Sequence, residues 1–344
     1  MRHFSASTIN RIAKITIFVA CFFVINFLVG IALIPSETYS NQVVKTYSKK
    51  ENIDVAYFGT SVGYHIDASQ INSKLGINSV NMCTPNQFVD SSVMVSELVC
   101  SQNPIEMIVL FAGVDTFEQP VYYSSHLTLN KAIFASQPLF VRLFSEFRIK
   151  LDNSLRKENL LTTDSINGMF SWIFDTTHSF STIVDNVKVK ADNYVHGRND
   201  LKYNLDPYKV SNQIVTDFDY GCSAQEIHDL ESISFENISI SKESMDGLDR
   251  LIRFCSVNNI DFALIITPHQ RDYKTELGED YIVADEYLRK FVTLRGMHYL
   301  NADSDDNLRL LLDDDEDFSD KEHLAGDGVS IVSDYIADYL ASIM

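Results

Sequence analysis

Residues 55–61 read Val-Ala-Tyr-Phe-Gly-Thr-Ser, an apolar run that ends in a small polar turn. The first four residues have the length and the β-branched and aromatic content of a buried strand. Gly59 and Thr60 interrupt the run, and Ser61 follows directly. The stretch therefore predicts a first β-strand at 55–58 with a serine just beyond its carboxyl end.

Further apolar runs of strand length occur along the chain, at 79–82, 107–111, 262–267 and 298–301. Helical patterns separate most of these runs, at 67–75, 91–101, 286–294 and 328–344. Alternation of strands and helices is typical of a parallel sheet with helices on both faces. We therefore predict an α/β fold, a doubly wound and mostly parallel five-stranded sheet of flavodoxin-like type.

Ahead of the predicted sheet, residues 15–34 contain no charged side chain. At about 1.5 Å per helical residue, such a span crosses a hydrocarbon core of about 30 Å. We therefore predict one N-terminal transmembrane helix at 15–34, between a cytoplasmic N-terminus at 1–14 and a linker at 35–51. A cleaved signal peptide is the alternative, but its apolar core is expected to be shorter and to be followed by a cleavage site.

The chain is acidic, with a formal net charge of −19. The positive-inside rule alone gives a near tie, because basic residues lie close to both ends of the apolar span. A long acidic domain can be translocated whatever its charge, while a short basic N-terminus stays inside. We therefore predict a single-pass protein of the cell membrane with residues 52–344 on the extracytoplasmic side. The acidic balance also argues against nucleic acid as a partner.

Between about 117 and 241 the alternation of strands and helices fails. The amphipathic stretch at 131–156 predicts a mostly helical insertion, whose aromatic residues form either core or a lid above the site. The five cysteines show no metal-like spacing, although one disulfide among Cys83, Cys100, Cys222 and Cys255 stays open. We expect no cofactor and no metal.

A second motif, Asp320-Lys321-Glu322-His323, lies just before the predicted last helix. Serine is a poor nucleophile unless a histidine accepts its proton and a carboxylate orients that histidine. In open parallel sheets the ligand site lies beyond the carboxyl ends of the strands, where Ser61 is expected. We therefore predict that Ser61, Asp320 and His323 are catalytic.

The order of these motifs resembles that of the SGNH (GDSL-like) hydrolase and acyltransferase superfamily. In that family the serine ends the first strand and an Asp-x-x-His motif precedes the last helix. The resemblance covers about 52–125 and 245–344. Gly59-Thr60-Ser61-Val62-Gly63 also matches the nucleophile elbow of α/β-hydrolases, but that elbow comes after several earlier strands. Only the predicted anchor and linker precede Ser61 here.

The predicted oxyanion hole departs from the family pattern. Relatives commonly have a glycine after the second strand and Gly-x-Asn-Asp after the third, whereas this chain has no glycine at 81–87 and reads Gly-Val-Asp-Thr at 113–116. An ionised Asp115 cannot donate a hydrogen bond, so it is either protonated or binds an acceptor hydroxyl. The oxyanion or substrate candidates are Thr84, Asn86, Asp115 and His269.

Membrane-anchored members of this family assist O-acetylation of exported polysaccharides or D-alanylation of teichoic acids, together with a multi-span membrane-bound O-acyltransferase. The resemblance implies an extracytoplasmic serine acyltransferase that moves an acetyl or similar short acyl group onto a cell-surface polysaccharide or glycan. An acyl-serine would be the intermediate. Two alternatives stay open: a carbohydrate esterase of the same fold, and a catalytically silent glycan-binding or scaffold protein.

Overall fold

The computed structural model describes residues 6–33, 39–47, 50–85, 87–100, 103–118, 180–196 and 240–344. Asn86, Cys222 and most of the predicted insertion lie outside these ranges. The chain forms two compact units. The helical unit comprises residues 1–36 and 137–200, and the sheet unit comprises residues 37–136 and 201–344.

The sheet unit is built on five strands: β1 Val55–Gly59, β2 Ser79–Asn81, β3 Met107–Ala112, β4 Asp261–Ile266 and β5 His298–Asn301. Their order is β2-β1-β3-β4-β5, and every neighbouring pair is parallel. This is the strand order of flavodoxin-like sheets. The α/β prediction and the position of each strand are confirmed, and the sheet is wholly rather than mostly parallel.

Burial explains why these runs become strands. Every residue of the central strands β1 and β3 is buried, as expected where helices cover both faces of a parallel sheet. The edge strand β5 is only half buried along its length. The continuous apolar runs therefore belong to the middle of the sheet, and the more polar run belongs to its edge.

Helices surround the sheet: α2 Tyr39–Tyr47, α3 Ser61–Tyr64, α4 Ala68–Leu75, α5 Val89–Cys100, α7 Lys242–Asn258, α8 Arg271–Thr293, α9 Asp306–Leu311 and α10 Gly326–Ile343. Helix α5 packs against α7, and α4 packs against α10. With right-handed crossovers, this strand order places the first pair on one face and the second pair on the other.

Two boundaries differ from the sequence prediction. The predicted linker at 35–51 contains helix α2, and Tyr39, Val43 and Val44 on that helix are buried in the core. The prediction missed this helix because it is short and its apolar residues are few. Helix α8 begins at Arg271, well before the predicted 286. Its first part escaped the sequence prediction because Gly278 (φ 61°) kinks the helix and interrupts the helical pattern.

In the helical unit, the described residues form α1 (Ala6–Leu33) and α6 (Phe180–His196), which contact each other. Within the described ranges, no helix is both long and apolar enough to cross a membrane. The transmembrane helix at 15–34 stays a prediction. Of the predicted insertion at about 117–241, the structure describes only α6 and a few residues at the two edges.

Candidate active site

The turn after β1 places Ser61 at the carboxyl edge of the sheet. Gly59 has a φ of 143°, and a Cβ on it would lie 2.0 Å from the carbonyl oxygen of Phe111 on β3. Only glycine therefore fits where β1 meets β3 at this turn. Thr60 is the N-cap of α3 and Ser61 is its first residue, so the Ser61 hydroxyl is not used as the cap.

The Asp-x-x-His motif folds into a turn that is fixed by its own acid. Asp320 Oδ1 accepts hydrogen bonds of 2.9 Å from the backbone N–H groups of Glu322 and His323. The backbone N–H of Ser319 donates to the His323 carbonyl oxygen at 2.8 Å. These bonds hold the histidine over the sheet edge just before α10 begins.

Ser61, His323 and Asp320 form a hydrogen-bonded triad. His323 Nε2 lies 2.8 Å from Ser61 Oγ, and His323 Nδ1 lies 2.8 Å from both carboxylate oxygens of Asp320. A carboxylate only accepts hydrogen bonds, so Nδ1 carries the proton and Nε2 presents its lone pair to the serine hydroxyl. This is the tautomer that a general base needs.

The electrostatics of the triad favour an ionised Asp320. Burial would raise the pKa of this carboxyl, but hydrogen bonds from His323 and the Glu322 backbone outweigh burial and lower the pKa to about 2. The Asp320 side chain is 56% exposed and that of His323 is 22% exposed. The orienting carboxylate is therefore charged over the physiological pH range while the triad stays open to solvent.

His65 forms part of the wall beside the triad. Its ring centroid lies 3.9 Å from that of Tyr64 and 6.0 Å from that of His323. Burial and the nearby His323 lower the pKa of His65 to about 3, so its ring is neutral at physiological pH. A neutral ring adds no positive charge beside His323.

Of the predicted oxyanion candidates, Thr84 is engaged within the protein, and Asn86 lies outside the described residues. The Thr84 N–H donates to the Gly59 carbonyl at 3.1 Å, and the Thr84 hydroxyl donates to Gln87 Oε1 at 2.9 Å. The Gly113 N–H donates to the Thr116 hydroxyl at 3.0 Å. As the first residue of α3, Ser61 has an N–H without an intrahelical acceptor, which leaves it able to face an oxyanion.

His269 and Asp303 form a second His–Asp pair, which follows β4 and β5. Nδ1 of His269 and Oδ1 of Asp303 are 3.8 Å apart, too long for a hydrogen bond, and both side chains are at most 1% exposed. Burial alone would lower the pKa of His269, but the neighbouring Asp303 raises it. The hydroxyl of Tyr281 donates to Asp303 at 2.7 Å, and Arg309 lies 3.7 Å away.

The two pairs lie on adjoining loops. The backbone N–H of Gln270, the residue after His269, donates to the Lys321 carbonyl oxygen at 2.9 Å. Asp115 belongs to the same region, because its carboxylate lies beside His269 next to Gly113. The structure thus brings together the predicted residues Ser61, Thr84, Asp115, His269, Asp320 and His323, all of which follow β-strands or precede α10.

Acidic and aromatic residues complete this region, and the sequence analysis does not name them as site residues. Burial and the nearby charge of Asp115 raise the pKa of Glu322. Burial and the charges of Asp115 and Asp280 raise the pKa of Glu118 to about 7. Tyr273 stacks on His269 at 4.9 Å between ring centroids. Asp303 could have been found, because it lies two residues after β5 and so at the same sheet edge as Ser61.

No protein-family model matches the chain, and no curated protein is significantly similar to it. The resemblance to the SGNH superfamily therefore rests on the two motifs and their order.

Among the described residues, no group of three or more His, Cys, Asp or Glu side chains is arranged to hold a metal ion.

Proposed function

We propose that this chain is an extracytoplasmic serine acyltransferase of the SGNH type. It would move an acetyl or similar short acyl group onto a hydroxyl of a cell-surface polysaccharide or glycan. The observation that carries the proposal is the contact of 2.8 Å between His323 Nε2 and Ser61 Oγ, with Asp320 on the other ring nitrogen. A solvent-accessible serine with this support is equipped for nucleophilic catalysis.

In the first half of the reaction, Ser61 Oγ attacks the acyl carbonyl while its proton passes to His323 Nε2. The leaving group departs with that proton, and an acyl-serine remains. In the second half, an acceptor hydroxyl attacks the ester, gives its proton to His323, and the proton returns to Ser61 Oγ as the ester bond breaks. Asp320 stabilises the imidazolium in both halves.

Transfer to a bound acceptor suits this site better than rapid general hydrolysis. One missing oxyanion donor costs about 100-fold or more in rate. The N–H groups of Thr84 and Gly113 are already bonded within the protein. Because neither of these two N–H groups is free to bind the oxyanion, the rate depends more strongly on how well the acceptor is positioned.

The proposed location is the outer side of the cell membrane, with residues 15–34 as a single-pass anchor. Those residues contain no charged side chain, and α1 covers them as far as Leu33. The proposed partners are the glycan acceptor and a multi-span membrane-bound O-acyltransferase that delivers the acyl group to this side.

The proposal is tested by incubating the purified full-length chain with p-nitrophenyl acetate and a neutral oligosaccharide. Mass spectrometry of the oligosaccharide measures the transferred acetyl groups. We expect acetylation with wild type and with Ser73→Ala, which removes an exposed hydroxyl outside the site, and none with Ser61→Ala. Release of acetate without oligosaccharide acetylation would favour the esterase. An inactive wild type would favour the silent glycan-binding protein.

A further inference from the structure

The surroundings of Asp115 indicate a role that the triad does not fill. A Cβ on Gly113 would lie 2.2 Å from Asp115 Oδ1 and 3.0 Å from His269 Nε2. The carboxylate and the imidazole therefore converge on one point, and only a glycine leaves room for both. Asp115 is partly exposed at the sheet edge, whereas His269 is 1% exposed beneath it.

His269 is fixed from three sides. Its backbone N–H donates to Asp303 Oδ1 at 2.8 Å, its ring stacks on Tyr273, and its Nδ1 faces Asp303. Neither ring nitrogen has a hydrogen-bond partner among the described residues. The Nε2 edge of a buried ring, backed by a carboxylate, is thus directed at Asp115.

These neighbours determine what Asp115 can do. Burial would lower the pKa of His269, but the nearby carboxylates of Asp303 and Asp115 raise it. The ring of Tyr273 stacks on His269, and the charge of Asp115 contributes to raising the pKa of its hydroxyl, after burial. A carboxylate beside an imidazole and a phenol has hydrogen-bond donors as neighbours, and it accepts hydrogen bonds and donates none. Of the two roles open to Asp115, the acceptor-binding role therefore fits its contacts and the oxyanion role does not.

We propose that Asp115 accepts a hydrogen bond from an acceptor hydroxyl next to the one that is acylated, so that the site selects neutral polyols. The inference rests on the proposed acyl transfer. The attacking hydroxyl must give its proton to His323 as its oxygen bonds to the acyl carbon and the Ser61 ester bond breaks. Asp115 is therefore left for a second hydroxyl, and His269 acts as its positioning residue.

The charge around Asp115 adds selectivity against anions. Glu118 and Glu322 are close enough to interact with Asp115, which places three carboxyl groups around the acceptor position. His269 faces these acids and is also paired with Asp303. A phosphate or carboxylate on the acceptor would be repelled, whereas neutral hydroxyls are not.

The experiment measures how the acetyl-enzyme, formed by the full-length chain from p-nitrophenyl acetate, partitions between water and added acceptors. The probes are glycerol, 1-propanol, which has one hydroxyl on the same carbon chain, and glycerol 3-phosphate. Chromatography of the acetylated products gives the transfer rates, and p-nitrophenol release gives the rate of acylation. The variants are Asp115→Asn and His269→Gln, with Asp272→Asn as a control that removes an exposed acid from α8.

In wild type, glycerol should be acetylated about tenfold faster than 1-propanol, the effect of one hydrogen bond to a charged group. Glycerol should also be favoured over glycerol 3-phosphate. Asp115→Asn should reduce both preferences to about twofold or less, and His269→Gln should reduce them in part. Asp272→Asn should keep both preferences. A change in preference reports acceptor positioning, which a loss of folded protein would not produce.

Equal rates for glycerol and 1-propanol in wild type would overturn this inference, and so would an unchanged preference in Asp115→Asn. Either result would leave the acyl-serine intact, because p-nitrophenol release would still depend on Ser61. Release that does not depend on Ser61 would instead overturn the proposed function, and the acceptor role of Asp115 with it.

Discussion

Two His–Asp pairs lie on neighbouring loops of this protein, and they differ in almost every physical respect. Asp320 and His323 are three residues apart, share short hydrogen bonds and remain open to solvent. Asp303 and His269 follow different strands and are both buried, and the distance between His269 Nδ1 and Asp303 Oδ1 is 3.8 Å. The first arrangement suits proton transfer with a substrate, and the second suits holding a fixed charge.

The comparison also shows what each pair needs from the fold. The exposed pair is formed within one turn, so the sequence alone brings its members together. The buried pair depends on the parallel register of β4 and β5, which aligns Ile266 with Asn301. The geometry of the exposed pair is therefore set by its own turn, whereas that of the buried pair is set by the sheet.

The largest expected difference between the pairs is in acylation. His323→Ala should lower the acylation rate of Ser61 about 10,000-fold or more, because the base is lost. His269→Gln should lower it less than about tenfold, because His269 does not contact the serine. Stopped-flow measurement of p-nitrophenol release gives both rates. Similar losses in the two variants would contradict the separate roles.

Stability should show the reverse order. Asp303→Asn leaves the buried His269 and the partly buried Arg309 without their carboxylate and should cost about 3 kcal/mol or more. Asp320→Asn removes an exposed charge and should cost about 1 kcal/mol or less. Urea unfolding followed by circular dichroism gives both values. The comparison would fail if Asp320→Asn proved to be the more destabilising change.

The pH dependence of stability should follow the buried pair. Asp303 raises the pKa of His269. Protonation of His269 therefore stabilises the folded state fully below about pH 6.5, the pKa of an unfolded histidine, and this stabilisation is lost as the pH rises through the folded pKa. Asp303 has a lowered pKa, so its effect is present above about pH 4 and is lost on acidification.

The difference in unfolding free energy between wild type and Asp303→Asn should therefore be larger at pH 5.5 than at pH 9. Asp115, Glu322 and Arg309 also face this pair and are the same in both proteins. Urea unfolding at the two pH values measures the change. A difference that stays constant or grows towards pH 9 would show that His269 is neutral in the fold.

The smallest effect concerns the link between the two loops. Gln270 has a φ of −59°, which proline can adopt, and its N–H donates to Lys321. Gln270→Pro should thus cost about 1 kcal/mol more than Gln270→Ala, which loses the side chain but keeps the N–H. Acylation should fall a few-fold in the proline variant only, measured by p-nitrophenol release. Equal rates in the two variants would show that the loops are independent.

Much of the sheet unit could be predicted from the sequence, because its strands are continuous apolar runs that end in polar turns. The strand at 298–301 has the bounds that the sequence predicts, and Ser61 lies at the carboxyl edge, where the rule for parallel sheets predicts it. The Asp320–His323 turn could be predicted for the same reason as any local motif. Its partners are neighbours in sequence.

The rest depended on long-range contacts. Helix α2 has few apolar residues, and they become part of the core only because they pack against residues that are distant in the sequence. Tyr273 lies in the part of α8 ahead of the kink at Gly278, where the helical pattern is interrupted. The pairing of His269 with Asp303 follows from the sheet register, and no local spacing in the sequence indicates it.

The most direct test of the central claim is covalent labelling of the full-length chain with a fluorophosphonate, followed by intact-mass measurement and peptide mapping. A single adduct on Ser61 is the predicted result, present in wild type and in Ser73→Ala and absent from Ser61→Ala and His323→Ala. Labelling of another serine, or equal labelling with and without His323, would contradict an activated Ser61–His323–Asp320 triad.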